Sequence, residues 1–590
     1  MAVKQEQVRT PPIKADINDQ QPYEHVAKYS DGEAVTKQAE RRLRSLFEER
    51  DAFLTTWREI TNYIAPNRGI YDNERPNQGK RRDYYLLDSI SNRALGLLQS
   101  GIQGGLTSPS LDWFRLAVND SELNKDVAVR QWLDDCREIM MEEFARSNIY
   151  NCLFGVYGEV GAFGTGAMLL EDDVRHARLL GRLFTAGQYA AAFDTAGLPC
   201  AFYYAVHMTA EQILAKFGQD RLDYEVLQAL QQRQYDQSFE VLHMIQEERT
   251  GDDRQTDFPY VSIYWRPGKE TALSIGGFEE FPAMVPRWET IGNDSYGYGP
   301  GWSALGDAKM LQEMYRDYLI AEKMRIRPPV WMSTEARNAR ANLNPGGVTY
   351  SDGDLAARPI YQIQPDIAGQ MNAIAVTEQK VREAFFADLF LLNTAEDRRN
   401  MTAYEVEQRQ REKLQMLGPV LERLDNELLD PLVGRAFNIL ERSGKIPEAP
   451  EALIGAKITI EYVSPLAIAQ KASSTASLTA LLQLVSSLAS VDPGVMDNID
   501  PDKVITEYMR MTGVPAAVIR SDEEVAGMRQ VRAQEQAAMQ QQAELANAAD
   551  VIQKGAGAAK DLADAPMGGG SMLDGLLGGA TTDQSGEAML

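Results

Sequence analysis

The chain has 590 residues, 44% of them hydrophobic, which is enough for several packed modules and too much for a disordered polymer. Its 85 acidic residues against 60 basic ones give a formal net charge of −25, which opposes tight nonspecific binding to nucleic acid. Cys136, Cys152 and Cys200 are odd in number and widely spaced, so a disulfide framework and a CxxC redox or zinc site are both excluded, in keeping with a reducing cytosol.

Residues 1–40 read as a flexible arm, polar and carrying Pro11 and Pro12, without the basic-then-apolar order of an export signal. From Arg41 onward, Leu43, Leu46, Phe47, Phe53, Leu54 and Trp57 recur at helical spacing, and this helix should end before Pro66. A second helical pattern covers Leu86 to Gln99, where Gly101, Gly104 and Gly105 should stop it, and a third runs from Asp126 to Ser147. Leu153 to Leu170 has the length of a minimal membrane span, but Glu159 near its centre and five glycines make it a buried element instead, with no membrane insertion. From Leu169 to about Glu289 shorter apolar clusters, among them Phe202 to Val206 and Val261 to Trp265, predict strands mixed with short helices. Ser303 to Arg327 is a Pro-free helix of about 40 Å, ended by Pro328 and Pro329. Residues 328–370, with five prolines and the Gly346-Gly347 pair, form a compact insert with strand-like runs at Val330 to Met332 and Ile360 to Ile363. A second long helix follows from Met371 to about Leu391. Next come the charged loop 392–400 and a helix starting at Thr402, whose Thr402-Ala403-Tyr404-Glu405 has capping-box spacing. A leucine stripe from Leu417 to Leu432 is interrupted by Pro419 and Pro431, and Lys457 to Val463 is strand-like. Glu523 to Lys554 should be helical, and the glycine-rich end after it a flexible tail.

Chemistry-bearing motifs are missing. There is no GxxxxGK[ST], so an ATPase motor lacks its phosphate-cradling loop and lysine. The glycine run Gly155, Gly158, Gly161, Gly164 and Gly166 does not follow the GxGxxG order and reads as close backbone packing. His25, His176, His207 and His243 are isolated, no GxSxG occurs, and no carboxylate pair stands out; the sequence offers no catalytic residue, metal site or cofactor. Tyr296 and Tyr298 could stack on bases, though a turn before the long helix explains their glycine-rich setting more simply.

Three stretches together resemble the head-to-tail connector family of short-tailed phages. The first is Trp57-Arg58-Glu59-Ile60 with Pro66, then Leu87-Asp88-Ser89 and Ser100-Gly101-Ile102-Gln103-Gly104-Gly105-Leu106-Thr107-Ser108-Pro109 through to Trp113-Phe114. The second is Tyr296-Gly297-Tyr298-Gly299-Pro300-Gly301-Trp302-Ser303-Ala304-Leu305-Gly306-Asp307. The third is Arg399-Asn400-Met401-Thr402-Ala403-Tyr404-Glu405-Val406 with Arg409, followed by Gly444-Lys445-Ile446-Pro447 and Ser464-Pro465-Leu466-Ala467.

The resemblance implies an α+β, mainly helical portal fold with wing, stem, clip and crown regions, assembled as a dodecameric ring around an axial DNA channel. On that plan 1–40 is the arm, 41–300 the wing, 301–327 and 371–391 the stem helices and 328–370 the clip. Residues 392–400 are then the tunnel loop, 401–442 a long helix from wing to crown, 443–530 wing and crown, and 531–590 a helix and tail. Twelve helices at about 10 Å spacing leave a bore of about 28 Å, wide enough for duplex DNA. Glu396, Asp397, Arg398, Arg399 and Asn400 would face the DNA, and Lys323, Arg325 and Arg327 would mark the junction of stem and clip. Arg398 and Arg399 also suit a solvated loop face paired to Glu396 and Asp397. The implied role is the ring at one capsid vertex through which double-stranded viral DNA is packaged and later ejected. Its implied partners are about eleven further copies, the viral DNA, the terminase motor, tail adaptor proteins, and the major capsid and scaffolding proteins. The protein would sit in the virion, and in the host cytoplasm during assembly, conducting DNA passively and without catalysis. Another ring-forming virion component, such as a tail adaptor or capsid protein, and a packaging enzyme are the alternative readings.

Overall fold

The computed structural model describes residues 32–71, 86–120, 126–173, 178–248, 256–326, 330–331, 358–359, 366–390, 417–463 and 522–563, with small gaps within these ranges and a few isolated positions outside them. Residues 1–514, apart from 125–127, belong to one compact unit, and 515–590 to a second.

Helix α1 (Gly32–Tyr63) begins nine residues earlier than the arginine-leucine pattern indicates, because Thr36 and Ala39 are already buried against a sheet. It ends before Pro66 as the sequence requires. Helix α2 (Ile90–Leu106) runs through Gly101, Gly104 and Gly105 rather than stopping there. Glycine lowers helix propensity by only about 1 kcal/mol, and this helix is held by burial of Leu95, Leu98, Ile102 and Leu106. After β1 (Phe114–Val118) and α3 (Val127–Arg146) comes α4 (Ile149–Phe163), buried over thirteen of its fifteen residues. The stretch of membrane-span length is therefore one helix followed by a strand, β2 (Ala167–Asp173), and among the described residues no helix is long and apolar enough to cross a membrane.

The glycines of α4 are contact points. A Cβ on Gly155 would strike Leu183, one on Gly158 would strike the Arg68 guanidinium, and one on Gly161 would press on Leu95 and Leu98. Glu159, the charge inside this apolar helix, is fully provided for. Arg68 Nη1 donates to its Oε1 at 2.8 Å, and Thr185 Oγ1 and Ala186 N donate to Oε2 at 2.9 and 3.2 Å. Arg68 also donates to Gly155 O and Gln99 Oε1, and Gln99 Nε2 donates to Phe154 O, so one network ties the end of α1 to α2 and α4. Burial raises the Glu159 carboxyl above its ordinary value, opposed by the Arg68 charge.

Strand β2 pairs antiparallel with β3 (Arg178–Phe184) and with β9 (Ala283–Met284). Beside this small sheet lies an antiparallel sheet in the order β4 (Tyr189–Phe193), β5 (Pro199–Thr209), β6 (Ser238–Glu247), β7 (Tyr260–Trp265), β8 (Ala272–Phe278). Two short helices, α5 (Ala210–Phe217) with a Thr209–Gln212 capping box and α6 (Tyr224–Gln231) capped by Asp223, cross between β5 and β6. The expected mixture of strands and short helices over this region is thus a meander, one face of which is packed by Leu43 and Leu46 of α1.

The long helix is α7 (Pro300–Ile326). The insert after it is closed at its neck by β10 (Val330–Trp331) pairing with β11 (Arg358–Pro359), and α8 (Ile367–Ala384) then returns along α7 to a short α9 (Ala387–Phe390). The expected strand at Ile360 to Ile363 and the expected helix start at Thr402 lie outside the described residues. Helix α10 (417–424) passes through a π-turn, Asp425–Leu429, into α11 (Asp430–Arg442). Pro431 has no N–H to donate and its ring crowds the carbonyl four residues earlier, so the wider turn carries the leucine stripe past it unbroken. Strand β12 (Ile458–Tyr462) pairs antiparallel with β1, Phe114 facing Tyr462. In the second unit α12 (Asp522–Ala563) is a single helix, longer at both ends than its Ala-rich pattern suggests.

Candidate functional site

The best-defined working part is the pair α7 and α8 with its mount. The mount is made by glycines. Gly164 ends α4 in the left-handed region at φ +83°, and a Cβ on Gly297, Gly299 or Gly301 would fall within 2.6 Å of the carbonyl oxygens of Gly164, Val160 and Ala162 respectively. Backbone thus lies on backbone where α7 starts, and Trp302 Nε1 donates to Phe163 O at 2.8 Å. Tyr296 is fully buried in a nest with Phe53 and Trp57, its hydroxyl accepting from Ala191 N, so it is unavailable for stacking on bases. Tyr298 is half-buried and donates to Asp294. Two turns on, Lys309 pairs with Glu59 at 2.7 Å, and the buried Gln312 side chain clamps the chain ahead of α2. Its Oε1 accepts from Leu87 N at 2.7 Å and Asp88 N at 3.1 Å, and its Nε2 donates to Asp88 O at 3.0 Å.

Beyond Gln312 no residue of α7 is buried. Leu319, Ile320, Met324 and Ile326 are 40, 42, 45 and 69% exposed, a run of large apolar groups on the outer half of the helix. Between the two helices Tyr315 donates to Glu378 at 2.7 Å, and Thr377 reaches Met314 Sδ. The hydrogen bond to Glu378 helps push the Tyr315 phenol up to about 12. Asp88 is raised first by burial, with the Glu378 carboxylate adding to it. Of the expected junction residues, Lys323 and Arg325 are exposed in the last turn of α7, Arg325 pairing with Glu322 at 3.0 Å. Arg327 lies outside the described residues.

Glu396, Asp397, Arg398, Arg399 and Asn400 also lie outside the described residues, but both flanks of their segment are in place. On one side α8 breaks at Phe385 and Phe386, the latter at φ +53°, and the Phe390 ring sits so close over Gly101 that a Cβ there would be 2.1 Å from it. On the other side Leu417, Leu421 and Leu424 are buried in the main core. Arg287 holds the π-turn, donating from N and Nε to Glu427 Oε2 at 2.8 and 3.2 Å and from Nη2 to Oε1 at 2.7 Å. Further along, Arg435 donates to Leu170 O and Glu280, and burial lowers its guanidinium to about 10. Gln312, Arg287, Glu427 and Arg435 were not singled out by sequence. Their partners stand 140 or more residues away, and local periodicity carries no trace of such pairings. Among the described residues no group of three or more His, Cys, Asp or Glu side chains could hold a metal ion. Among the described residues the two helices are packed at one end and exposed at the other, which suits a mechanical role.

The family model described as bacteriophage head to tail connecting protein matches residues 36–519, which include all three stretches that carry the resemblance. The chain is 33% identical to the probable portal protein of Bordetella phage BPP-1 over 514 residues, 86% of this chain and 92% of that protein. It is 34% identical to the portal protein of Salmonella phage epsilon15 over 555 residues, 92% of this chain and 98% of that one. Among solved structures, the neck of an empty gene transfer agent particle aligns over 72% of this chain and 95% of that chain, with 11% identity and a TM-score of 0.36, a similarity too slight to inform the fold.

Proposed function

The chain belongs to the bacteriophage head to tail connecting protein family and is a portal protein of the phage virion, and from that premise we propose how it works: as one wall segment of a dodecameric ring at a single capsid vertex. Helices α7 and α8 are the stem around the channel, residues 328–370 the clip that meets the terminase motor and later the tail adaptors, and 392–400 the loop that reaches the DNA. The wing meets capsid and scaffolding proteins during assembly in the host cytoplasm.

The observation that carries this reading is the uneven burial of α7. Its first half is fixed by backbone contact, Trp302 and Gln312, whereas Leu319, Ile320 and Ile326 in its outer half are exposed. In a ring, neighbouring stems cover that surface. Conduction is passive: an acidic wall repels phosphates, and a few cations such as Arg398 and Arg399 centre the duplex without gripping it, because each neutralised phosphate adds counterion-release affinity. Force comes from a separate ATPase.

Mass photometry and negative-stain electron microscopy on the purified protein test this. Rings with a central hole and a mass of about 790 kDa, twelve times 65.7 kDa, are expected. A filament or a closed particle would overturn it.

A further inference from the structure

Between α3 and the turn after α11 the surface is hollowed into a groove of about 500 Å³. Ile139, Ile446 and Pro447 give it an apolar floor, and Asp135, Glu138 and Glu142 stand along one face of α3 as its rim. Lys445, the only cation among the lining residues, is held at 2.9 Å by the buried Glu143. Glu142 and Glu138 have Arg146 and Arg137 beside them, but among the described residues no cation is paired with Asp135. The groove thus offers an apolar floor beside an acidic rim, which suits an occupant that carries both apolar and basic groups.

We propose that the groove receives the chain's own N-terminal arm, through Val8-Arg9-Thr10-Pro11-Pro12-Ile13-Lys14, the Pro-Pro-Ile core lying on the floor and Arg9 and Lys14 meeting the acidic rim. The two sides are opposite in charge, and their spacings can be compared. Pro11 and Pro12 favour an extended polyproline conformation at little further entropic cost, which sets Arg9 and Lys14 about 16 Å apart. Asp135 and Glu142 are separated by about 10 Å along α3, a difference that long side chains span. The reach also suffices. Thr36 and Lys37 hold the start of α1 to Glu270, just ahead of edge strand β8. Past the other end of β8, Glu279 and Glu280 hold Arg442, two residues before the groove. That route is about 35 Å along an extended strand, and the chain from Lys14 to Gly32 extends to about 60 Å.

The test is fluorescence anisotropy with a labelled peptide of residues 7–15 added to the full-length chain. The full-length R9E/K14E variant, whose own arm no longer suits the rim, is expected to bind the peptide at least tenfold more tightly than the wild type, whose groove is filled. Adding D135K/E138K to R9E/K14E, at exposed helix positions that leave the core untouched, is expected to weaken binding at least tenfold. Equal binding by wild type and R9E/K14E, no binding by either, or equal binding of a scrambled peptide of the same composition would each overturn the proposal.

Discussion

Helix α4 is buried over thirteen of its fifteen residues, whereas α7 buries seven of twenty-seven, all of them within its first half. The two helices also treat polar groups differently. In α4 the one charge, Glu159, has both oxygens satisfied by partners from two other segments. In the outer half of α7 charged residues pair along their own helix, as Arg325 does with Glu322, and large apolar groups stand open. The first pattern belongs to a folding core completed within one chain. In the proposed ring the second belongs to an element completed by other copies, so stability and assembly fall to different helices and can be perturbed separately.

Glu159→Ala is the largest expected perturbation. It leaves Arg68 beside a buried, empty acceptor site, and truncating one partner of such a pair costs about 3–5 kcal/mol. Urea unfolding followed by tryptophan fluorescence would measure it, and a loss below about 1 kcal/mol would mean that glycine-tight packing alone holds α4. Gln312→Ala lies between the two helix types, since it strips the fixed half of α7 of its clamp on Leu87 and Asp88. The expected loss is about 1–3 kcal/mol, together with faster amide exchange at Leu87 and Asp88.

His243 extends the comparison to the sheet, as a buried polar group satisfied on one side only. Its Nε2 meets Ser262 Oγ at 2.8 Å, its Nδ1 has no hydrogen-bond partner among the described residues, and its ring stacks on Tyr264, with Tyr204 set edge-on to it. Burial first, then the nearby Lys216 and Arg182 charges, hold its pKa well below the ordinary value. The unfolded chain takes up this proton near pH 6.5 and the folded chain resists, so the contribution is complete above that pH and is lost as the pH falls toward the folded value. Thermal unfolding from pH 7 to 5 should show a slope from this residue of up to about 1.4 kcal/mol per pH unit, which His243→Gln removes. An unchanged slope in the variant would locate the acid sensitivity elsewhere. The smallest effect on the single chain is expected from Leu319→Asp with Ile326→Glu, within about 0.5 kcal/mol by urea unfolding. The same double change should abolish rings in electron micrographs; intact rings would remove the outer half of α7 from the subunit interface.

Elements held by their own periodicity were legible in the sequence. The bounds of α3 and α7 lie within three residues of those read from their apolar stripes, because one buried face and a proline or charged end determine both. What was not legible depends on distant partners. Gly101 looked like a helix stop because its value lies in the Phe390 ring, almost three hundred residues away. The pairing of β1 with β12 joins strands more than three hundred residues apart, and neither strand's pattern specifies the other. Pro431 looked like an interruption because a π-turn has no sequence period of its own. At the candidate site the two long helices were recognised, while the mount was not. It rests on backbone-to-backbone approach at Gly297, Gly299 and Gly301, which a sequence shows only as a turn.

The two-residue ladder between Val330–Trp331 and Arg358–Pro359 also separates what lies on either side of it. With its ends already brought to hydrogen-bonding distance, the intervening chain can lengthen at a closure cost of only about 0.6 kcal/mol per doubling. The rod below therefore does not register what is carried above it. That makes the insert exchangeable: a lineage, or a designer, can replace it while α7 and α8 keep their register and spacing.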